Sequence, residues 1–207
     1  MLVRIGGIIM SKSFKVIPFV KFGLMDATGK VVVKEATFDE VLVSAFWVVV
    51  KEKGEWRDLS DLIGEKPVSG SFKEAELFDD VLWFKKNDKW GAMDSTRTLV
   101  VPMDYWIISK MENSSVMVLA KSTDEVEYFT VKGKKILPSG VEKFQIEDFY
   151  LGYAMARGYD KKTGADKFFV VCEDGRVFLQ EFTSMKECRN FLKDLQDDYV
   201  WTVNAFR

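Results

Sequence analysis

Histidine is absent from this 207-residue sequence, and cysteine and proline are scarce, at two and four residues. Without histidine the chain cannot form Ser-His-Asp or Cys-His nucleophile arrangements, a His-Glu-x-x-His zinc site or the usual general base near neutral pH. Cys172 and Cys188 are too few for a disulfide framework and fit no zinc-binding spacing, so we expect two buried thiols. No metal ion or other cofactor is predicted.

An excess of charge of either sign is also missing, because 30 basic and 32 acidic residues leave a net charge of −2. Such a chain has no long-range field that would attract a polyanion or an anionic membrane, so neither nucleic acid nor a membrane is predicted as a partner. No stretch approaches the roughly 18 unbroken apolar residues of a membrane span, and the apolar N-terminus lacks a signal-peptide cleavage site. A cytoplasmic protein is therefore expected.

Sequence motifs of catalysis are absent too: there is no Walker loop, no Gly-x-Gly-x-x-Gly fingerprint and no Ser-x-x-Lys pair. The chemistry left open is a pair of carboxylates of the kind that glycosidases use beside aromatic platforms. Candidate pairs are Asp39-Glu40, Asp79-Asp80 and Glu147-Asp148. Since 32 acidic residues supply such pairs anywhere, we predict a protein without catalytic residues, and carbohydrate binding or cleavage is the alternative.

What the chain does have is an internal repeat with a period of 34 residues. Phe22-Gly-Leu-Met-Asp26 and Trp90-Gly-Ala-Met-Asp94 share a frame 68 residues apart, and Trp56 lies midway between them. Four lead aromatic residues are each followed sixteen residues later by another aromatic residue. These pairs are Phe22 and Phe38, Trp56 and Phe72, Trp90 and Trp106, and Tyr128 and Phe144. A fifth, divergent unit begins at Phe168.

Short runs of aliphatic and aromatic residues, separated by Gly, Asp, Thr and Lys, fill each unit and are typical of strands and hairpins. They predict an all-β fold of about five three-stranded antiparallel units, an open solenoid-like array with a closed propeller as the alternative. Residues 184–197 instead space apolar side chains as one face of a helix, with Ser184 and Glu187 as a capping box. This C-terminal amphipathic helix is expected to cover the last unit.

A single repeat domain is predicted over residues 1–207. Its parts are an N-terminal capping strand at 12–21 and units at 22–55, 56–89, 90–127, 128–167 and 168–207. Glycines mark the turn that follows the lead segment in four of the units, since glycine tolerates positive φ. These are Gly29, Gly64, Gly133 and Gly175. Arg97 stands at this place in the third unit, so its turn must be built differently.

Lys89-Trp90-Gly91, followed by Asp94 and Leu99-Val-Val-Pro102, resembles the WG-repeat family of β-rich bacterial repeat proteins. Lys21-Phe22-Gly23 with Asp26 is similar to the same unit with Phe in place of Trp. The resemblance implies a repeat scaffold in which these residues are structural, and it implies no catalytic residue. The structural positions are Phe22, Gly23, Asp26, Trp56, Trp90, Gly91 and Asp94. A glycine beside the tryptophan lets an indole or a neighbouring strand pack directly on the backbone.

Aligned strands of the first three units give the candidate binding surface. One alternate set of residues is apolar in every unit, as Val48, Leu82 and Val116 illustrate, and is expected to face the core. The other set changes chemistry between units and is expected to face solvent. Its large members are the predicted binding residues: Trp47, Val49, Trp83 and Met117. The sequence therefore predicts a protein-interaction module, such as an adaptor, inhibitor or immunity-type protein, that binds an unidentified protein partner.

Overall fold

Antiparallel strands dominate the computed structural model, which describes residues 15–17, 22–25, 28, 30–178, 180 and 182–205. The described strands form five separate antiparallel sheets and are followed by one α-helix, so the predicted all-β fold with a C-terminal helix is confirmed. The chain divides into two compact units, residues 1–103 and 104–207, and each is described by itself. No helix in the described part of the chain is both long and apolar enough to span a membrane.

The first unit contains three sheets. Sheet 1 consists of β1 (Lys15–Ile17), β2 (Phe22–Met25) and β3 (Val31–Phe38). Sheet 2 consists of β4 (Glu40–Val43), β5 (Val48–Glu52), β6 (Glu55–Asp58) and β7 (Ser71–Phe72), with a 3-10 helix at Ser60–Ile63. Sheet 3 consists of β8 (Glu74–Phe78), β9 (Val81–Lys86), β10 (Lys89–Met93) and β11 (Leu99–Tyr105). The last two residues of β11 belong to the second unit.

The second unit contains two sheets and the helix. Sheet 4 consists of β12 (Ile107–Lys110), β13 (Val116–Ala120) and β14 (Val126–Thr130). Sheet 5 consists of β15 (Val141–Ile146), β16 (Tyr153–Asp160) and β17 (Asp166–Cys172). The helix α1 spans Met185–Ala205. In every sheet the strands are hydrogen-bonded in chain order, so each sheet is a simple meander.

Three tight turns explain how sheets 2 and 3 fold back on themselves. Lys53-Gly54, Asp79-Asp80 and Asn87-Asp88 each join neighbouring strands, and both residues of each pair have positive φ, between 46° and 85°. Positive φ at both central positions is the conformation whose twist matches that of antiparallel strands. Gly, Asn and Asp tolerate this region better than most residues. The turns therefore fix the register of the strands that carry the core.

In the first unit the sheets pack face to face. Val49 of β5 joins a cluster with Leu82 and Phe84 of β9, between sheets 2 and 3. Val48 and Val50, which point to the other side of β5, join a cluster with residues of sheet 1. Both faces of β5 are therefore buried, because each one is covered by a neighbouring sheet.

The second unit repeats this arrangement with the helix as its last layer. Phe169 and Val171 of β17 lie in the core cluster that includes residues of sheet 4. Phe168 and Val170, on the opposite face, pack in a cluster with Cys188 of α1. The helix therefore covers sheet 5 on the side that sheet 4 does not, as predicted.

The start of the helix is fixed by the predicted capping residues. The backbone N–H of Glu187 donates to Ser184 Oγ at 3.3 Å, and the Glu187 carboxylate accepts from the N–H of Thr183, also at 3.3 Å. Ser184 satisfies a backbone donor of the first turn, and the Glu187 side chain bonds back to Thr183, the residue before Ser184. The predicted end at residue 197 is too early, because the helix continues to Ala205.

Arg97 shows how the third sequence repeat, residues 90–127, builds its turn without glycine. Its backbone takes a positive φ of 67°. Its side chain packs against Trp47 in the core of the first compact unit. The guanidinium carbon lies 3.6 Å from the ring centre of Trp47, and Nη2 donates to the C=O of Phe46 at 2.8 Å. A cation over an indole face is favourable, most of all where solvent is excluded. The turn that lacks glycine thus contributes to the packing of Trp47.

Asp58 is a buried carboxylate that holds together the segment after β6. It is 7% exposed and accepts hydrogen bonds from the N–H of Ser60 at 2.9 Å and of Val68 at 2.8 Å. The hydroxyl of Ser60 is a third donor to it. Because buried donors lose free energy when they are left unpaired, Asp58 stabilises the whole connection from β6 to β7.

Replacement of Asp58 by alanine should lower the free energy of unfolding by about 2 to 4 kcal/mol, since several buried donors lose a charged acceptor together. Chemical denaturation followed by circular dichroism measures this change. The conservative variant Asp58→Asn keeps one acceptor oxygen and should lose distinctly less stability. Equal stability of the parent and both variants would contradict a structural role for the carboxylate.

Candidate functional site

The four residues predicted to form a binding surface do not reach solvent. Trp47, Val49, Trp83 and Met117 are each 0% exposed. Residues that are fully buried within the chain cannot be contacted by a partner, so the predicted surface is corrected to core. For Trp47 and Val49 the physical reason is the packing of sheet 3 against sheet 2, which covers the variable face of β5, while sheet 1 covers the constant face.

Trp47 illustrates why a varied position is buried here. Its ring belongs to the cluster between sheets 2 and 3, and its indole N–H donates to the C=O of Asp80 at 2.9 Å. Arg97, which belongs to the third sequence repeat, covers one face of the ring. Trp47 is therefore held by residues of the next sheet and is not exposed to solvent.

The structural motif residues have the following places. Trp56 and Trp90 are both 4% exposed. A Cβ atom on Gly91 would lie 2.8 Å from the backbone oxygen of Val101 and 2.4 Å from Met103 Sδ. The backbone of Phe22 and Gly23 lies in β2, whereas Asp26 is outside the described residues.

Asp94 closes the turn between β10 and β11. Its Oδ1 accepts hydrogen bonds from the N–H of Thr96 at 2.9 Å, the hydroxyl of Thr96 at 2.7 Å and the N–H of Thr98 at 3.0 Å. Although desolvation opposes ionisation of the carboxylate, these bonds outweigh it and lower the pKa of Asp94. Asp94 therefore stabilises this turn.

Two of the three acidic pairs that left glycosidase chemistry open, Asp39-Glu40 and Asp79-Asp80, take part in the scaffold. Asp39 accepts from the N–H of Lys53 at 3.0 Å, and Glu40 pairs with Lys51 at 2.6 Å. Asp79 and Asp80 form the positive-φ turn between β8 and β9. Among the described residues, no three His, Cys, Asp or Glu side chains are grouped so that they could hold a metal ion.

Two large apolar residues, Trp106 and Ile107, are exposed side by side where β11 passes into β12. Their exposed fractions are 53% and 63%. The N–H of Trp106 donates to the C=O of Ala120 at 2.9 Å, although Ala120 is the register partner of Ile107. Two residues of one strand therefore oppose a single residue of the next, which is the geometry of a β-bulge.

The same bulge begins sheets 2 and 3, but charged residues occupy it there. In sheet 2 the N–H of Asp39 donates to the C=O of Lys51, which is the register partner of Glu40. The equivalent residues in sheet 3 are Lys73, Lys85 and Glu74. Both bulge positions are exposed in each sheet. Sheet 4 thus places Trp and Ile where the two preceding sheets place charged side chains in solvent.

The difference extends across the sheet along a row of register partners. In sheet 2 the row is Glu40, Lys51 and Trp56, with Lys51 Nζ 2.6 Å from Glu40 and 5.6 Å from the indole centre. Sheet 3 repeats it with Glu74, Lys85 and Trp90. In sheet 4 the row is Ile107, Ala120 and Val126. We call these three residues together with Trp106 the apolar row.

The sixteen-residue spacing placed Trp106 beside the wrong residues. Phe38 and Phe72 precede the bulge and are 2% and 1% exposed, and the residue that precedes it in sheet 4 is Tyr105, which is 1% exposed. The segment from Trp90 to the bulge is one residue shorter than in the two earlier units. Tyr105 is therefore the equivalent of the buried phenylalanines. Trp106 is left in the exposed bulge, and the spacing alone conceals this.

Charged side chains border the apolar row at one end of sheet 4. Lys121 Nζ lies 3.7 Å from Asp104 Oδ2, 3.5 Å from Glu125 Oε1 and 3.6 Å from Glu127 Oε1. Although desolvation opposes the charge of Lys121, the three carboxylates together outweigh it and raise the pKa of Lys121. Because Lys121 follows Ala120 and Glu125 precedes Val126, these charges lie one step beyond the row.

Glu127 is the most enclosed of these carboxylates, with its side chain 17% exposed. It accepts hydrogen bonds from the hydroxyl of Tyr105 at 2.5 Å and from Lys135 Nζ at 2.6 Å. Burial opposes its ionisation, but these donors outweigh that effect and lower the pKa of Glu127. Burial, together with the hydrogen bond to Glu127, raises the pKa of Tyr105. Glu127 is therefore an ionised carboxylate that the Tyr105 hydroxyl and the Lys135 ammonium hold in place.

A shallow groove of about 250 Å³ lies beside Val126, between β14 and β15. Val126 and Leu137 in its lining are 37% and 41% exposed, and Lys143 and Lys161 line it too. Sites for drug-sized molecules usually enclose about 300 to 1,000 Å³. The groove is smaller than that.

No protein-family model matches the chain, and no curated protein matches it. Solved structures similar to it include a crystal structure of a eukaryotic initiation factor, 14% identical, with a TM-score of 0.35, covering 85% of this chain and 53% of that one. Another is a structure of Kluyveromyces lactis Hsv2p, 8% identical, with a TM-score of 0.37, covering 81% and 59%. The chain spans little more than half the length of either protein.

Proposed function

We propose that this chain is a non-enzymatic protein-interaction module whose partner docks on the apolar row of sheet 4. The observation that carries the proposal is the exposure of Trp106 and Ile107, at 53% and 63%, at positions that are charged in sheets 2 and 3. Large apolar side chains in water are unfavourable, and tryptophan is enriched among the residues that dominate the binding energy of interfaces.

A protein fits this surface better than a small molecule. The apolar row is an open strip across three strands, and the groove beside it is below the usual volume of a small-molecule site. The end of the strip is bordered by ion pairs, as the polar rim of a protein interface usually is.

The proposal includes the family and the setting of the protein. We place the chain among divergent WG-repeat proteins, on the motif around Trp90-Gly91 and the repetition of small antiparallel sheets. In this view it is a bacterial adaptor, inhibitor or immunity-type protein of the cytoplasm. The two cysteines, Cys172 and Cys188, are both unpaired, as is usual in a reducing compartment.

The sharpest test converts the apolar row into the charged row of its neighbours. The double variant Ile107→Glu/Ala120→Lys recreates the pair formed by Glu40 and Lys51 in sheet 2. Because an exposed pair of this kind contributes little, its free energy of unfolding should lie within about 1 kcal/mol of the parent value. Affinity capture from the native host, read by mass spectrometry, should recover a protein with the parent chain that the double variant no longer retains.

A matched control comes from sheet 2. Glu40→Gln/Lys51→Gln alters an equivalent exposed pair away from the apolar row and should retain the same protein as the parent. A partner that still binds the Ile107→Glu/Ala120→Lys chain, folded as judged by thermal unfolding, would sink the proposal. So would equal loss of the partner from both double variants.

A further inference from the structure

The buried residue that precedes the bulge differs between the sheets by a single hydroxyl group. Phe38 and Phe72 precede the bulges of sheets 2 and 3, and Tyr105 precedes the bulge of sheet 4. A buried tyrosine needs a hydrogen-bond partner for its hydroxyl. That partner is Glu127 of β14, whose Oε2 accepts from the Tyr105 hydroxyl at 2.5 Å. Sheet 4 therefore has a bond from its bulge to its third strand that a phenylalanine cannot make.

Sheets 2 and 3 hold their bulges by a different contact. In sheet 2 the bulge residue Glu40 pairs with Lys51 of the second strand at 2.6 Å, and sheet 3 has an equivalent ion pair. The register equivalents in sheet 4, Ile107 and Ala120, carry no polar side-chain atom and cannot pair in this way. Sheet 4 thus has a hydrogen bond to its third strand in place of a surface ion pair to its second.

The hydrogen bond of Tyr105 lies on the face of sheet 4 opposite to the apolar row. Glu127 follows Val126 of the row in β14, and successive side chains of a strand point to opposite faces. The Tyr105 ring packs on the same face as Glu127, since its centre lies 5.7 Å from the ring centre of Phe129. The bond therefore connects the strands from behind and leaves the apolar row uncovered.

Tyr105 also adjoins the backbone hydrogen bond that defines the bulge. The C=O of Tyr105 and the N–H of Trp106 belong to one planar peptide group, so fixing Tyr105 restricts the direction of this N–H. The N–H donates to the C=O of Ala120 at 2.9 Å. Because β12 has only four residues and lies at the edge of sheet 4, few bonds within the sheet hold the bulge.

We infer that the Tyr105 hydroxyl and the Glu127 carboxylate are positioning groups of the apolar row, because their hydrogen bond holds the bulge in which Trp106 and Ile107 are exposed. Lys135 keeps the carboxylate in place from the other side, with its Nζ 2.6 Å from Glu127 Oε1. The importance of this bond rests on the proposed function, but the positioning itself can be measured on the chain alone.

Hydrogen exchange of the Trp106 amide, followed by NMR on the full chain, tests the inference. Tyr105→Phe keeps the buried ring and removes only the hydroxyl. The Trp106 amide should then exchange at least about ten-fold faster, because the bulge opens locally at a lower cost. The amides of Met111 and Ile136, which donate to backbone C=O groups of sheet 4 at 2.8 Å, should keep their rates within about two-fold.

Conservative variants of Glu127 separate this bond from packing. Glu127→Gln keeps an oxygen that can accept from the Tyr105 hydroxyl and should leave the Trp106 amide close to its parent rate. Glu127→Met removes the acceptor and should accelerate exchange as much as Tyr105→Phe does. The double variant Tyr105→Phe/Glu127→Met should exchange no faster than either single variant, since both changes remove the same bond.

Fluorine NMR of the chain labelled with 5-fluorotryptophan reports on the Trp106 side chain itself. Its resonance is assigned by its loss in Trp106→Phe. The resonance should move in Tyr105→Phe and keep its place in Glu127→Gln, while the resonances of the other tryptophans stay where they are in both variants.

Three results would overturn the inference. One is an unchanged exchange rate and fluorine resonance of Trp106 in Tyr105→Phe. Another is equal acceleration at Met111 and Ile136, because the whole sheet would then be loosened and not the bulge alone. The third is exchange as fast in Glu127→Gln as in Glu127→Met. If Tyr105→Phe folds too weakly to be measured, the two Glu127 variants decide the question by themselves.

Failure of the inference is distinct from failure of the proposed function. Exchange and fluorine measurements need no partner, whereas the proposed function depends on capture from the host with the Ile107→Glu/Ala120→Lys chain. A partner that is lost on that double variant, together with an unchanged bulge in Tyr105→Phe, would keep the binding row and overturn the positioning role of Tyr105.

Discussion

Replacing Trp47 by alanine should lower the free energy of unfolding by about 3 to 5 kcal/mol, the range for removal of a buried aromatic side chain from a packed core. The ring is 0% exposed and lies between sheets 2 and 3. Its loss would also leave the C=O of Asp80 without the indole donor and Arg97 without the ring it covers. Chemical denaturation with fluorescence and circular dichroism detection gives the change.

Trp106 supplies the matched control for this substitution. It is 53% exposed, so Trp106→Ala should change the stability by no more than about 0.5 to 1 kcal/mol. The same chemical change would then have a large effect at Trp47 and a small one at Trp106. Similar effects at both positions would show that the division into a buried tryptophan and an exposed one is mistaken.

The second large effect is expected for Gly91→Val, which should destabilise the chain by about 1 to 3 kcal/mol through overpacking and backbone movement. A Cβ at this position would lie 2.4 Å from Met103 Sδ and 2.8 Å from the oxygen of Val101. The methionine side chain can move, but the oxygen belongs to the backbone of β11. Thermal unfolding of the variant should show a clearly lower melting temperature.

A second substitution separates these two contacts. In the chain that also carries Met103→Ala, the sulfur contact of the new side chain is removed while the contact with the Val101 oxygen stays. Gly91→Val should therefore remain destabilising in that background, although by less than in the parent. An unchanged melting temperature in either background would show that strand β11 does not restrict this position.

The sheets themselves could be predicted from the sequence because local signals agree with the tertiary structure. Aliphatic runs interrupted by Gly, Asp and Lys became strands and tight turns, and the capping residue Ser184 begins the helix. The helix end was missed for a reason equally local. The chain from residue 198 to 205 contains neither glycine nor proline, so no stop signal follows the predicted end.

The direction in which side chains point could not be predicted from alternation alone. Alternation distinguishes the two faces of a strand, but it does not show that either face is exposed to solvent. Val48-Val49-Val50 and Leu82-Trp83-Phe84 are unbroken apolar runs, which are typical of strands covered on both sides. Those runs were the available sign that Trp47, Val49 and Trp83 are core residues.

The apolar row was missed because of a single residue. Between Trp90 and the bulge the chain is one residue shorter than in the preceding units, so the aromatic spacing matched Trp106 to Phe72 instead of Lys73. Only the backbone hydrogen bond to Ala120 identifies the equivalent position. A substitution from charge to tryptophan becomes visible once that position is known.

Consecutive sheets of the first unit are joined by one residue each, Asp39 between β3 and β4 and Lys73 between β7 and β8. A connection of one residue cannot absorb a change in chain length. An inserted residue there would turn every following side chain of the strand to the opposite face, because side chains alternate with a period of two. Length changes during evolution should accordingly collect in the hairpin turns and spare these joints, and the joints can be recognised in related sequences by their constant spacing.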